Sequence, residues 1–203
     1  MGPTYAVWVG RVQPFHLGHL EILRRSLRSQ ECPHVNGIVC HDDAVLDDGS
    51  ASKHTRCYNP FTPWERYIMV RTCLTELGFQ SRVESVFIPY LWPSDWGRTK
   101  LYLPDRFVMC TTNKDREDSA KVEAWDALGW RSLVIDMSDV DVLSSTTFRH
   151  AVLDGRDWRE FVHESIHDYF ASIDGPARFL RSAAEVRGRG GPASRRPPLG
   201  LPG

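Results

Sequence analysis

The stretch Tyr5-Ala6-Val7-Trp8-Val9-Gly10-Arg11-Val12-Gln13-Pro14-Phe15-His16-Leu17-Gly18-His19-Leu20 decides the fold. It opens as a run of apolar, β-branched and aromatic residues, the pattern of a strand buried on both faces, and is interrupted at Gly10 and Pro14. Beyond Gly18, the residues Leu20, Leu23 and Leu27 recur at helical spacing, which predicts an amphipathic helix. Strand, loop and helix in direct succession open a βαβ unit, and the loop lies at the carboxyl end of the strand.

Outward from this stretch the same syntax repeats. Apolar runs predict strands over 5–9, 35–40, 83–88, 107–111 and 132–135, with helices over 18–29, 63–77, 118–128, 145–153 and 158–173. The second helix carries its own boundary signals: Thr62 can cap it, Pro63 suits its first position, Glu65 closes a capping box and Gly78 stops it. Asp157 and Glu160 are set to cap the last. Parallel neighbours need crossovers, and right-handed crossovers put helices on both faces. The expectation is therefore an α/β, Rossmann-like, doubly wound five-stranded parallel sheet with ligands at the carboxyl ends of its strands.

Length and composition bound the rest. The 203 residues are 41% hydrophobic and 25% charged, enough for one soluble domain with a real core. That domain is expected over 1–177, with a C-terminal extension over 178–203 that holds six Arg against the single Glu185. From about Arg187 the chain is Arg/Gly/Pro-rich, with too little to bury to offset its backbone entropy, and disorder is expected. Its Arg content would suit a nucleic-acid arm, but an unconstrained extension is the simpler reading, and no nucleic-acid partner is expected. No apolar run approaches the ~20 residues of a membrane span, the N-terminus lacks a signal-peptide pattern, and Ala6 stands where myristoylation wants Ser or Thr. A soluble, cytoplasmic protein without a membrane partner follows, and an assembly of identical copies is compatible with it. The five cysteines (Cys32, Cys40, Cys57, Cys73, Cys110) show neither a C-x-x-C pair nor zinc spacing, so reduced thiols and no protein-bound metal are expected. His41-Asp42-Asp43, continuing to Asp47-Asp48, reads as a solvated acidic loop. With a net charge of −1, any anion site must be local.

Such a site is legible where His16 and His19 flank Gly18 at a helix start. Helix N-termini present unpaired N–H groups and a positive dipole end, Gly18 leaves the backbone open to a phosphate, and two imidazoles can donate to one oxyanion. A lone histidine there would be an ordinary cap or packing residue. Late in the chain Ser145 or Thr146 opens another helix, offering hydroxyl and N–H donors, and Arg149 one turn on can project a guanidinium toward the same anion. By itself that segment is equally an N-cap beside a solvated Arg.

The first of these segments resembles the HxGH motif of the nucleotidylyltransferase superfamily, in the form GRxQPFHxGH of archaeal-type nicotinamide-mononucleotide adenylyltransferases. Leu143-Ser144-Ser145-Thr146-Thr147-Phe148-Arg149 resembles the second signature, ISSTxIR, while Gly49-Ser50-Ala51 and Asn59-Pro60-Phe61-Thr62 with Glu65-Arg66 match the intervening GSA and NPFTxxER stretch. The resemblance covers roughly Tyr5 to Ile173, most of the chain expected to fold. It implies in-line attack of an acceptor phosphate on the α-phosphorus of a nucleoside triphosphate, with release of pyrophosphate and no covalent enzyme intermediate. His16 and His19 would hold the α/β-phosphates and Arg149 the β/γ-phosphates as catalytic residues. Gly10, Arg11, Phe15, Gly18, Asn113, Ser144, Ser145 and Thr146 would surround the nucleotide, and Mg²⁺ would arrive with the triphosphate.

For the acceptor, the resemblance points to Trp96 as the residue that stacks on a nicotinamide ring. The loop departs from the family pattern: it lacks Asp-Ile before the Trp, and Arg98 and Lys100 follow. Tyr58 also replaces an Arg that often precedes NPFT, with Arg56 two positions away. The leading expectation is a nicotinamide-mononucleotide adenylyltransferase-like enzyme. The alternatives are a CTP-dependent cytidylyltransferase acting on a small phosphonate or phosphate through Arg98, Lys100 or Arg56, and a non-catalytic nucleotide-binding regulatory module.

Overall fold

Strands β1 (Tyr5–Gly10), β2 (His34–Val39), β3 (Val83–Ile88), β4 (Phe107–Thr112) and β5 (Ser132–Ile135) form one parallel sheet in the order β3-β2-β1-β4-β5. The computed structural model describes residues 2–29, 32–40, 58–89, 96–114, 116–140 and 144–188. Val7 of β1 lies level with Val35 on one side and Met109 on the other. The chain winds outward from β1 to β3, then returns to the far side of β1 as β4. That reversal leaves a crevice between the carboxyl ends of β1 and β4, where neighbouring connections leave in opposite directions.

The helices are α1 (Leu17–Ser29), α2 (Pro63–Glu76), the short α3 (Trp96–Thr99), α4 (Arg116–Ala127), α5 (Ser145–Leu153), α6 (His167–Ser172) and α7 (Gly175–Gly188). Strand alternation divides the core between the two faces of the sheet. Ala6, Trp8 and Ile38 pack with Leu23 of α1, Met69 of α2 and Phe148 of α5. Val7, Val35 and Met109 pack with Trp96 and Trp125 on the other face. The expected capping box is present, with the Thr62 hydroxyl accepting from Glu65 N and the Glu65 carboxylate from Thr62 N. None of the described helices is long and apolar enough to cross a membrane, and Cys32, Cys40, Cys73 and Cys110 are free thiols.

Two expectations change. The single helix predicted over 158–173 is instead two 3₁₀ turns, Trp158–Phe161 and Glu164–Ile166, followed by α6. Asp157 does cap the first turn by accepting from Arg159 N, but Glu160 pairs with Arg156. Val162 is extended and the His163 imidazole accepts from Ser165 N, so side-chain capping restarts the chain where the helical pattern ran on. The second change is the domain boundary at 177, which falls inside α7. Phe179 and Ala183 of this helix are buried, and the Phe179 ring lies 4.5 Å from that of Phe148. Arg178 forks onto both carboxylate oxygens of Glu65 at 2.6 and 2.9 Å and donates to the Pro60 carbonyl. Gly175 makes the preceding turn feasible, because a Cβ there would sit 2.5 Å from the Phe170 carbonyl oxygen. Arg187 is still helical, and the expected disordered tail beyond it, 189–203, lies outside the described residues.

Because α7 belongs to the core, Phe179→Ala should lower the free energy of unfolding by about 3–5 kcal/mol, the usual cost of emptying a buried aromatic site. Urea denaturation of the parent and variant checks this. A loss below about 1 kcal/mol would mean that α7 is an appendage.

Candidate functional site

Between β1 and α1 the loop is held from outside. The Gln13 side-chain amide donates to the Phe61 carbonyl at 2.9 Å and accepts from Phe61 N at 3.0 Å. Buried Arg66 donates to the Arg11 carbonyl and, through Nε, to the Thr62 carbonyl at 3.2 Å. Two sequence stretches about fifty residues apart thus form one unit. The clamp has a backbone to restrain: Val12 sits at φ 54°, a left-handed conformation costly for a β-branched residue, on the order of 1–3 kcal/mol.

This loop delivers both histidines. The rings of His16 and His19 stack with centroids 3.6 Å apart, and His19 also faces Phe15 at 5.9 Å and Trp8 at 5.3 Å. His16 N donates to His19 Nδ1 at 3.3 Å, which leaves the proton on Nε2 of His19. Burial drives His16 well below the usual imidazole range, helped by His19, Lys114 and Arg149. Burial, then Lys114 and Arg11, push His19 down to about 3. Both rings are neutral near pH 7, each with one N–H to donate. Gly10 has a separate role, since a Cβ there would meet the Trp8 ring at 2.7 Å. Without one, the indole folds over the end of the strand.

The second signature meets the first. Ser144 caps α5 by accepting from Thr147 N at 3.0 Å, and the Ser145 hydroxyl lies 3.3 Å from His16 Nε2. Both serines border a cavity of about 210 Å³ with His16 and His19, at the β1/β4 crevice. Other expected residues stand elsewhere. Thr146 is exposed, Phe15 is buried against His19, and Gly18 is buried in the first turn of α1. The Arg11 guanidinium is pushed down to about 10 by burial, partly opposed by Tyr58. Arg149, one turn past Ser145, is buried with Phe148. Its Nη2 donates to the Tyr58 carbonyl at 2.7 Å, and its guanidinium packs over the rings of Tyr58 at 5.0 Å and Phe179 at 5.5 Å. Asn113 ties the end of β4 to that of β5, donating to Asp136 at 2.6 Å and accepting from Met137 N at 2.9 Å.

Trp96 combines packing with a place on the cavity wall. It is 2% exposed and meets Trp125 edge-on at 5.5 Å. Arg98 is exposed, and Lys100 borders a groove with Arg106 and Arg131, near the amino ends of the strands. Arg56, residues 49–51, the acidic string from His41 to Asp48, and Leu143 lie outside the described residues.

Sequence reasoning overlooked the wall supplied by β4 and α4. Asp118 is buried and accepts from the hydroxyls of Thr111 at 2.9 Å and Thr112, and from Lys121 at 2.8 Å. These residues, with Lys114, line the same cavity as the histidines. The available signal was the Thr-Thr-Asn-Lys run leaving a strand at its carboxyl end, where an α/β sheet binds ligands. Among the described residues, no group of three or more His, Cys, Asp or Glu side chains could hold a metal ion.

No protein-family model matches the chain. It is 30% identical over 181 residues to the nicotinamide-nucleotide adenylyltransferase of Picrophilus torridus, spanning 87% of this chain and 95% of the relative. Proteins of the same name from Thermococcus onnurineus and Archaeoglobus fulgidus are 28% and 27% identical over 91% of this chain, and over 91% and 98% of their own lengths. Among solved structures, the fold is shared with a Vibrio parahaemolyticus protein assigned as a nicotinate-nucleotide adenylyltransferase, at a TM-score of 0.52 and 13% identity, covering 84% of this chain and 99% of that one. It is shared as well with the Plasmodium falciparum nicotinic acid mononucleotide adenylyltransferase, at 0.50 and 10% identity, covering 87% and 98%.

The buried imidazoles set a pH dependence. His34 on β2 is also pushed down, to about 4, chiefly by burial. In the unfolded chain all three titrate near 6.5, so below that pH the unfolded state binds more protons and stability is lost as pH falls toward the folded values. The free energy of urea unfolding should hold above about pH 7 and decline between about pH 6.5 and 5, above the carboxylate range. The His19→Ala variant should show a shallower decline, and an unchanged slope would contradict the neutral, buried state of His19.

Proposed function

This chain belongs to the nicotinamide-nucleotide adenylyltransferase family, and from that premise we propose that it transfers the adenylyl group of ATP to nicotinamide mononucleotide, forming NAD and releasing pyrophosphate. The observation that carries the reading is the joining of two distant signatures at one crevice, with the His16 ring 3.3 Å from the Ser145 hydroxyl and stacked on His19.

The chemistry asks for positioning and charge stabilisation more than for a nucleophile. An oxygen of the acceptor phosphate attacks the α-phosphorus in line, and the electron pair of the broken bond stays on the departing pyrophosphate. Neutral His16 and His19 donate hydrogen bonds to the phosphoryl oxygens. The hydroxyl of Ser145 and the amino end of α5 add donors from the other side. Trp96 contributes an indole to the wall, and the face of such a ring attracts a cationic pyridinium. The substrate is the Mg²⁺ complex of ATP. Asp118, the carboxylate on the wall, already accepts from Thr111, Thr112 and Lys121, and Mg²⁺ carried in on the triphosphate would need few protein ligands. The reaction partners are small molecules, and free thiols suit a cytoplasmic enzyme.

Incubation with ATP, Mg²⁺ and saturating nicotinamide mononucleotide should yield NAD and pyrophosphate in equal amounts. In His19→Ala the turnover number should fall by ~10²–10³, the usual loss for one transition-state donor, with a cooperative thermal transition retained. Absence of the dinucleotide in the parent reaction would refute the acceptor assignment.

Replacement of Trp96 tests the acceptor side separately. Its ring is shared with the core, so Trp96→Phe is the informative change: a raised KM for the mononucleotide with an unchanged KM for ATP is expected. Equal effects on both constants would assign the ring to packing alone.

A further inference from the structure

The histidine pair is neutral, so it can orient phosphate oxygens but brings no positive charge to them. Arg149 keeps its guanidinium on the Tyr58 carbonyl and on the rings of Tyr58 and Phe179. Among the described residues, the Lys and Arg side chains that border the cavity are Lys114 and Lys121, both from the β4–α4 segment. Lys121 is ion-paired with Asp118 at 2.8 Å. Lys114 stands two residues past the end of β4, next to Asn113, whose amide is anchored on Asp136 and Met137. It borders the same cavity as His16 and His19. The charges around the two imidazoles agree with that position. Beyond burial, Arg149 weighs on His16 and Arg11 on His19, whereas Lys114 weighs on both.

We propose that Lys114 is a further phosphate-binding residue of this enzyme: its ammonium pairs with the polyphosphate oxygens that His16 and His19 hydrogen-bond, and offsets the charge that passes to the departing pyrophosphate. The proposal rests on the nucleotidyl-transfer reading above and adds a residue to it. As the acceptor oxygen bonds to the α-phosphorus, the bond to the α,β-bridging oxygen breaks and its electrons remain on pyrophosphate. No proton or further reactant is required. A cation beside that oxygen stabilises the transition state more than the ground state, which is the condition for raising the turnover number. The position is local to this chain's sequence, since the Lys follows Thr-Thr-Asn directly.

The test compares the parent protein with Lys114→Ala, Lys114→Gln and Lys114→Arg. Inorganic tripolyphosphate serves as the binding probe in calorimetry, and ATP with nicotinamide mononucleotide as the substrates. Lys114→Ala and Lys114→Gln should bind tripolyphosphate about tenfold or more weakly, as expected for the loss of one charged hydrogen bond. The difference should shrink at high salt, and Lys114→Arg should restore most of it. The turnover number should drop by ~10²–10³ in the Ala variant. The proton resonances of His16 and His19 should titrate at higher pH in that variant, because the ammonium that repels both imidazolium forms is gone. Parental affinity for tripolyphosphate in Lys114→Ala, or no binding by the parent, would overturn the proposal. If the parent forms no NAD yet holds tripolyphosphate through Lys114, the acceptor assignment falls and this inference stands. If the parent forms NAD and Lys114→Ala forms it equally fast, this inference falls alone.

Discussion

The Gln13 amide, paired through both its donor and its acceptor with the backbone of Phe61, is the contact on which the site depends. It works with Arg66 on the Arg11 carbonyl to hold a loop whose Val12 would not adopt φ 54° unaided. Buried polar groups left without partners cost roughly 1–3 kcal/mol each, so this buried arrangement is either complete or strongly disfavoured. It ties the stretch Asn59 to Arg66 to the stretch Gly10 to His19. Glu65 extends the link, closing the capping box of α2 while receiving Arg178 from α7. The site loop, α2 and the C-terminal helix are consequently one mechanical unit.

On that frame the electrostatics follow from burial. Two stacked, buried imidazoles cannot both carry charge, and Lys114, Arg149 and Arg11 push them further toward the neutral form. They offer oriented N–H donors beside the amino end of α5 and the Ser145 hydroxyl. A cavity organised in this way would hold an anion by direction as much as by charge, which suits a chain whose net charge is only −1. The placement at the β1/β4 crevice needs no special device, because reversal of the winding opens a gap at the carboxyl edge of the sheet.

The aromatic residues around the site show how one side chain serves both core and ligand wall. Trp8 packs under α1 and presents its ring beside His19, while Trp96 and Trp125 meet edge-on beneath the opposite wall. Their rigidity supports the polar groups above them, since rings in close packing have few alternative rotamers. Asp118 does the same for the end of β4 through the hydroxyls of Thr111 and Thr112.

Local pattern carried much of this architecture. The apolar runs marked five strands to within a residue or so, the signals at Thr62, Pro63, Glu65 and Gly78 bounded α2, and the His16-Leu17-Gly18-His19 motif marked the loop that borders the crevice. These features are decided by periodicity, capping and backbone freedom within a few neighbouring residues, and so they are present in the sequence itself. The tertiary structure alone decided that Arg149 turns to Tyr58, that Trp96 is 2% exposed, that α7 completes the core, and that Lys114 borders the same cavity as the histidines. Each depends on which distant element packs beside the residue, and the direction of a long side chain is set by those neighbours rather than by its own segment.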